Sequence, residues 1–207
     1  AAVEQPGLGG EERAGAHAGD PVAPRRDAPH PVHQRRVVAG ATHAVATSNG
    51  TSALHLCLLL AGVKAGDEVL VPTLTFVATA NAVSYVGARP HFVDSEAVSL
   101  GIDASLLDEH LHKVAQVVDG VCLNRQTGAA IRALVVMHVF GHPCDLDALD
   151  ALARRWHLVL IEDAAEAIGA TWQGRHAGTY GRYGVYSFNG NKIMTTGGGG
   201  ALVGPAD

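Results

Sequence analysis

No run of Lys or Arg longer than a pair occurs in this chain, and its 15 basic residues are outnumbered by 20 acidic ones, giving a formal net charge of −5. A nucleic-acid partner is therefore not expected. No apolar stretch approaches the ~20 residues that a membrane span needs. The longest, ALHLCLLLAGV at 53–63, is interrupted by His55. Neither a CxxC nor an HExxH pattern is present, so no metal site is expected. His138 and His142 are four apart, but they straddle VFG in what reads as a strand end and loop, and they read as two unrelated loop histidines. Cysteine is scarce too. Cys57, Cys122 and Cys144 are widely spaced and odd in number, which predicts free thiols in a reducing, cytoplasmic setting.

What remains is a chain of 207 residues, 47% hydrophobic and 17% charged, with enough apolar material for a real core. Residues 1–40 stand apart. They hold no aromatic residue, no Ile and one Leu, and Ala, Gly, Pro, Arg and His dominate. No amphipathic period and no secretory h-region is visible, so the segment is predicted to be poorly packed. Its bias is that of a GC-rich gene read out of frame, and the chain has no initiator Met. The expectation is a fragment or a faulty reading frame, with one domain over 41–207.

From residue 41 short apolar runs alternate with helical stretches. Strands are predicted at 43–47, 67–72, 89–94, 132–140, 158–163, 185–188 and 200–204. Helices are predicted at 51–63, which is apolar nearly all round and so reads as buried, and at 76–87. Two more should follow the caps Asp103 and Asp145. Such alternation implies an α/β fold: a three-layer α/β/α sandwich around a mainly parallel, seven-stranded sheet. Ligands in such folds sit beyond the carboxyl ends of the strands.

Three stretches fall at those ends. In TSNGTSAL (47–54) a strand gives way through Gly50 to a helix starting near Thr51. A helix N-terminus with hydroxyls beside it suits a phosphate, and equally suits an ordinary cap. In LIEDAAEAIG (160–169) Asp163 ends an apolar strand, so its carboxylate should be partly buried and in need of a partner. In YSFNGNKIMTTGGGG (186–200) Lys192 lies on a small polar turn near Ser187, Asn189 and Asn191. A lone loop lysine is usually a surface residue; one in such surroundings can become a nucleophile toward carbonyls. Together, a phosphate cradle, a buried acid and a lysine are three grips on pyridoxal 5′-phosphate.

The segments SNGTSAL, GDEVLVPTLTFVATANAV, RPHFVD, HVFGHPCDLDAL, LIEDAAEAIGA and GVYSFNGNKIMTTGGGGALV resemble the DegT/DnrJ/EryC1/StrS sugar aminotransferases, in that family's order. The resemblance implies the large domain of fold-type I pyridoxal-phosphate enzymes, an antiparallel last strand, and a small C-terminal domain beyond this chain. It makes Lys192 the Schiff-base lysine and proton-moving base, and Asp163 the partner of the pyridine nitrogen. Gly50, Thr51, Ser187 and Asn189 would hold the phosphate, and Phe76 would stack on the ring. Glu166 falls where many relatives carry His or Gln beside the ring hydroxyl. Asp163 and Lys192 should face each other across the ring rather than touch. The lysine turn is most similar to members acting on 4-keto-6-deoxy nucleotide sugars of the bacillosamine and legionaminic-acid kind. That implies transamination of a nucleotide-linked keto-sugar, glutamate as amino donor, a role in surface-glycan synthesis, and a homodimer with sites at its interface. The competing expectation is a non-catalytic cofactor-binding module or an inactive remnant.

Overall fold

In a computed structural model the structure describes residues 40–205. The expectation for residues 1–40 lies outside them, Gly40 excepted. Strands β1 (His43–Thr47), β2 (Glu68–Pro72), β3 (Arg89–Val93), β6 (Ile131–Met137), β7 (Val159–Asp163), β10 (Tyr183–Ser187) and β11 (Gly200–Gly204) form one seven-stranded sheet in the order β1-β11-β10-β7-β6-β2-β3. β11 runs antiparallel to both neighbours, and the other pairings are parallel. All seven predicted strands form, but the one expected over 132–140 ends at Met137, and Val139–Gly141 make a 3-10 turn with Phe140 at φ 53°.

Helices α1 (Gly50–Leu60), α2 (Val77–Tyr85), α3 (Ala104–Val114) and α4 (Leu146–Arg155) cover it. Alternate strand residues face opposite layers. Val69, Val71, Ala133, Val135 and Ile161 pack with Leu54, Cys57 and Leu58 of α1 and Ala82 and Val83 of α2. Leu70, Leu134, Val136 and Leu160 pack with Leu107 and Leu111 of α3 and Leu146, Leu149 and Leu152 of α4. The free cysteines are split between these layers, Cys57 in the first and Cys122 and Cys144 in the second. Among the described residues no helix is long and apolar enough to cross a membrane. Both predicted caps form. Asp103 accepts from the Ser105 and Leu106 amides, each at 2.9 Å, and Asp145 from Ala148 N–H at 3.1 Å.

Three features differ from the sequence reading. Helix α1 is not buried all round: Leu56, Leu59 and Leu60 are exposed, because only one side of it meets the sheet and α2. Two small hairpins were not predicted, β4 (Ala115–Val118) with β5 (Val121–Asn124) and β8 (Thr171–Trp172) with β9 (Arg175–His176). Each turns on two residues with positive φ, Asp119 (50°) and Gly120 (76°) in the first, Gln173 (47°) and Gly174 (80°) in the second. This is the backbone that two-residue hairpin loops favour.

The third difference is His138. It is not a loop bystander: it follows β6 and is fully buried, with Nε2 3.0 Å from Glu162 Oε2. Burial disfavours the imidazolium, the Glu162 carboxylate favours it, and the net direction of the pKa is upward, a direction that the hydrogen bond at Nδ1 opposes. The amide of Cys144 decides between them. It points at Nδ1 from 3.3 Å and needs a lone pair there, so the ring is the neutral Nε2–H tautomer. Glu162, also fully buried, further accepts the amides of Gly178, Tyr180 and Gly181 at 2.5–2.7 Å. One carboxylate thus ties β7 to β6 and to the loop leading into β10.

Glu162→Leu would leave those three amides and the imidazole without their acceptor. We expect a loss of at least about 4 kcal/mol, since each buried donor left without an acceptor costs about 1–3 kcal/mol. Urea denaturation measures it, and a loss below about 1 kcal/mol would show that the cluster does not anchor the fold.

Candidate active site

Because the strands flanking β7 run parallel, their carboxyl ends share one edge of the sheet, and the predicted site residues meet there. Gly50, Thr51, Phe76, Asp163, Ser187, Asn189 and Lys192 line a single cavity of about 290 Å³, with Asn49, Leu54, Ala78, Met137, Ala165 and Asn191. That volume lies at the lower end of the range for small-molecule sites, about 300–1,000 Å³.

The first wall is the start of α1. Asn49 caps the helix by accepting the Ser52 amide at 2.8 Å. Gly50 lies hard against β10: a Cβ there would stand 2.9 Å from Ser187 Cβ. Any other residue would push the helix off the strand end. Beside this contact, the Thr51 and Ser187 hydroxyls have no hydrogen-bond partner among the described residues. Two free hydroxyls at a helix N-terminus, with no side chain between them, fit a phosphate.

The second wall is Asp163, the last residue of β7. Alternation sends its side chain to the α1–α2 layer, opposite Glu162. Its Oδ1 accepts the Ala165 amide at 3.2 Å and its Oδ2 the Thr79 hydroxyl at 2.9 Å. Burial raises its pKa above the ordinary 3.8, against the opposing pull of these two donors and of Lys192. Two donors leave a carboxylate with spare acceptor capacity facing the cavity.

The third wall is the loop between β10 and β11. A turn from Lys192 N–H to Asn189 C=O (3.0 Å) presents the lysine, and Asn189 Nδ2 donates to Asn191 Oδ1 at 3.1 Å. Lys192 Nζ donates to Glu166 Oε1 at 2.9 Å and lies 5.7 Å from the centre of the Phe76 ring. Its ion-pair partner among the described residues is Glu166, not Asp163. Glu166 therefore joins the site through the lysine rather than through the cavity wall. Phe76 is the residue before α2 and is 61% exposed, so it is no core phenylalanine.

Sequence reasoning missed Thr79 and Met137. Thr79 had a usable signal. It is buried with Ala82 and Val83 on the inner face of α2, and a hydroxyl on such a stripe needs a buried partner.

The same architecture occurs in solved aminotransferases. A DegT DnrJ EryC1 StrS aminotransferase from Brucella abortus superposes with a TM-score of 0.74 at 31% identity, over 84% of this chain and 44% of that one. DesI, solved in the presence of its TDP-sugar product, gives 0.70 at 33% identity, over 84% of this chain and 40% of that one. GDP-perosamine synthase of Caulobacter vibrioides is 42% identical over 163 residues, 79% of this chain and 40% of that protein. The profile of the DegT/DnrJ/EryC1/StrS aminotransferase family matches residues 35–207, and the chain belongs to that family. It spans about 40% of the length of the curated relatives it matches first.

The raised pKa of Asp163 carries a stability prediction for the chain without ligand. The folded state keeps this proton to higher pH than the unfolded state, so it holds more protons through that window. Stability must then fall as pH rises from the ordinary aspartate value through the raised one. Asp163→Asn removes the ionisation. It should match the parent in acid and be the more stable protein at neutral pH. Urea titrations at several pH values test this, and an equal gap at every pH would contradict it.

Proposed function

We propose that this chain forms the cofactor-binding part of a pyridoxal-phosphate-dependent aminotransferase whose substrate is a nucleotide-linked 4-keto-6-deoxy sugar, with glutamate as amino donor. The observation that carries the reading is the single cavity uniting Lys192, Asp163 and the Gly50–Thr51–Ser187 cradle. Aminotransferases of this family depend on pyridoxal phosphate. The sugar assignment draws on the lysine turn and on relatives such as GDP-perosamine synthase and DesI. The amino donor and a place in surface-glycan synthesis are part of the same proposal.

When bound, the cofactor supplies an electron sink for the carbon that gains or loses a proton. The chain supplies everything else. Gly50 permits the close approach of α1, and Thr51, Ser187 and Asn189 donate to the phosphate. Asp163 would accept a hydrogen bond from the ring N–H with its spare acceptor capacity, and its charge would keep the proton on that nitrogen. Phe76 covers one face of the ring. Lys192 would hold the cofactor covalently through Nζ, and the amine, once released, would carry the proton that leaves or joins the substrate carbon. Glu166, already bonded to the Lys192 amine, orients it. Leu74, Phe76, Val77, Phe140, Ile193 and Met194 are exposed around this edge, which supports a homodimer that covers the rim.

The roles separate by mutation in the natural full-length protein. Lys192→Ala should abolish turnover and the absorption band of the lysine-bound cofactor, while phosphate-anchored binding persists. Asp163→Ala should lower turnover by ~10²–10³, the loss of one electrostatic stabiliser. Thr51→Ala should mainly weaken cofactor binding, by about 1–2 kcal/mol. Absorbance titration with pyridoxal phosphate and keto-sugar turnover give both readouts. Equal losses in all three variants, without selective loss of turnover in Lys192→Ala, would contradict the assignment; binding without turnover in the parent would favour a non-catalytic module.

A further inference from the structure

Helix α2 brings two hydroxyls to the buried acid. Thr79, wholly buried in its first turn, lies 2.9 Å from Asp163 Oδ2, and Thr75, just before the helix, lies 2.8 Å from Thr79. An ionised carboxylate only accepts, so Thr79 donates to Asp163. Its oxygen is then left to accept, and Thr75 donates to it. The same Thr75 hydroxyl also lies 3.1 Å from Met137 Sδ, the weaker acceptor. The direction of the chain Thr75→Thr79→Asp163 is thereby fixed, and each bond polarises the next.

We infer that Thr79 is a positioning residue for the cofactor's ring: its hydroxyl, braced by Thr75, sets the plane of the Asp163 carboxylate. The inference rests on the function proposed above. A carboxylate turns about a soft, roughly two-fold torsion, and one bond from the Ala165 amide leaves that torsion free. The second bond, to the other oxygen, locks it. Phe76 sits between the two threonines in sequence, at the residue before α2. One helical turn therefore carries the side chain proposed to cover the ring face and the hydroxyl that aims the acid at the ring edge. A shift of α2 would move both together.

The test isolates Asp163 from Lys192 by using 4′-deoxypyridoxine 5′-phosphate, which lacks the aldehyde and cannot bond to lysine. Its affinity for the natural full-length protein is measured by calorimetry from acid to mildly alkaline pH, for the parent, Thr79→Ser and Thr79→Val. Serine keeps the hydroxyl and should bind within about threefold of the parent. Valine keeps the shape and loses the donor, so binding should weaken by about tenfold, as for a lost hydrogen bond to a charged group. Asp163 then holds its proton more readily, and the loss of affinity on acidification should begin at higher pH. The other titratable groups near Asp163 are Cys57 of α1, His138 after β6, and Lys192 with its partner Glu166. All are common to the three proteins, so a displaced acid limb reports Thr79 alone. If the valine variant melts without cooperativity, Thr79→Ala takes its place with the same expectations. A hydroxyl-free variant with parental affinity and an unmoved limb overturns the inference and leaves the proposed function standing. A parent that does not bind the analogue overturns both.

Discussion

Strand β7 ends in two consecutive carboxylates, and the rest of the structure answers their unequal needs. The alternation of a β-strand sends Glu162 into one layer and Asp163 into the other. Glu162 is fully served, by an imidazole N–H and three backbone amides. It is the structural acid, and it fixes β6, β7 and the approach to β10 relative to one another. Asp163 is served by only two donors despite its burial. A buried carboxylate left short of partners is a cost that stable folds avoid, and sites are where such costs are tolerated. The rigidity supplied by Glu162 is what holds Asp163 in that condition: its neighbour in the chain cannot relax toward water without dragging β7 out of the sheet.

Much of this was readable in the sequence because it depends on local pattern. Seven short apolar runs became seven strands, and Asp103 and Asp145 capped the helices they precede, because period and capping chemistry act within a few residues. The site residues were legible for a related reason. Strand ends in a parallel sheet share an edge, so placing Gly50, Asp163 and Lys192 at such ends was enough to bring them together. The two small hairpins carried a local signal as well, Asp-Gly at 119–120 and Gln-Gly at 173–174, but their strands are only four and two residues long, too short to register as period-two runs.

What escaped depends on contacts between distant segments. His138 and Glu162 are 24 residues apart, Thr79 and Asp163 are 84 apart, and no spacing rule connects them. The exposed side of α1 escaped for the opposite reason. Composition says that Leu56, Leu59 and Leu60 can be buried; only the packing of neighbours says whether they are. Composition likewise could not say that Lys192 would pair with Glu166, since the choice among three nearby acids is set by the path of the loop that carries the lysine.

That loop also bears on how the cavity closes. Lys192 is presented by a turn rich in Asn and Gly, and the next two residues, Ile193 and Met194, point outward with 69% and 49% of their surface exposed. Phe76, which lines the cavity, and Phe140, which follows β6, are likewise exposed, at 61% and 75%. Electrostatic contacts such as those proposed for Asp163 and Lys192 strengthen when water is excluded, and an aromatic face gains from covering a ring only where it is itself covered. The sheet and its helices supply the floor and three walls, and they leave the apolar rim open. The side chains proposed to grip the cofactor all come from this part of the fold. A homodimer partner of the kind proposed would have to be apolar where it meets Phe76, Phe140, Ile193 and Met194, and by excluding water there it would strengthen the contacts proposed for Asp163 and Lys192.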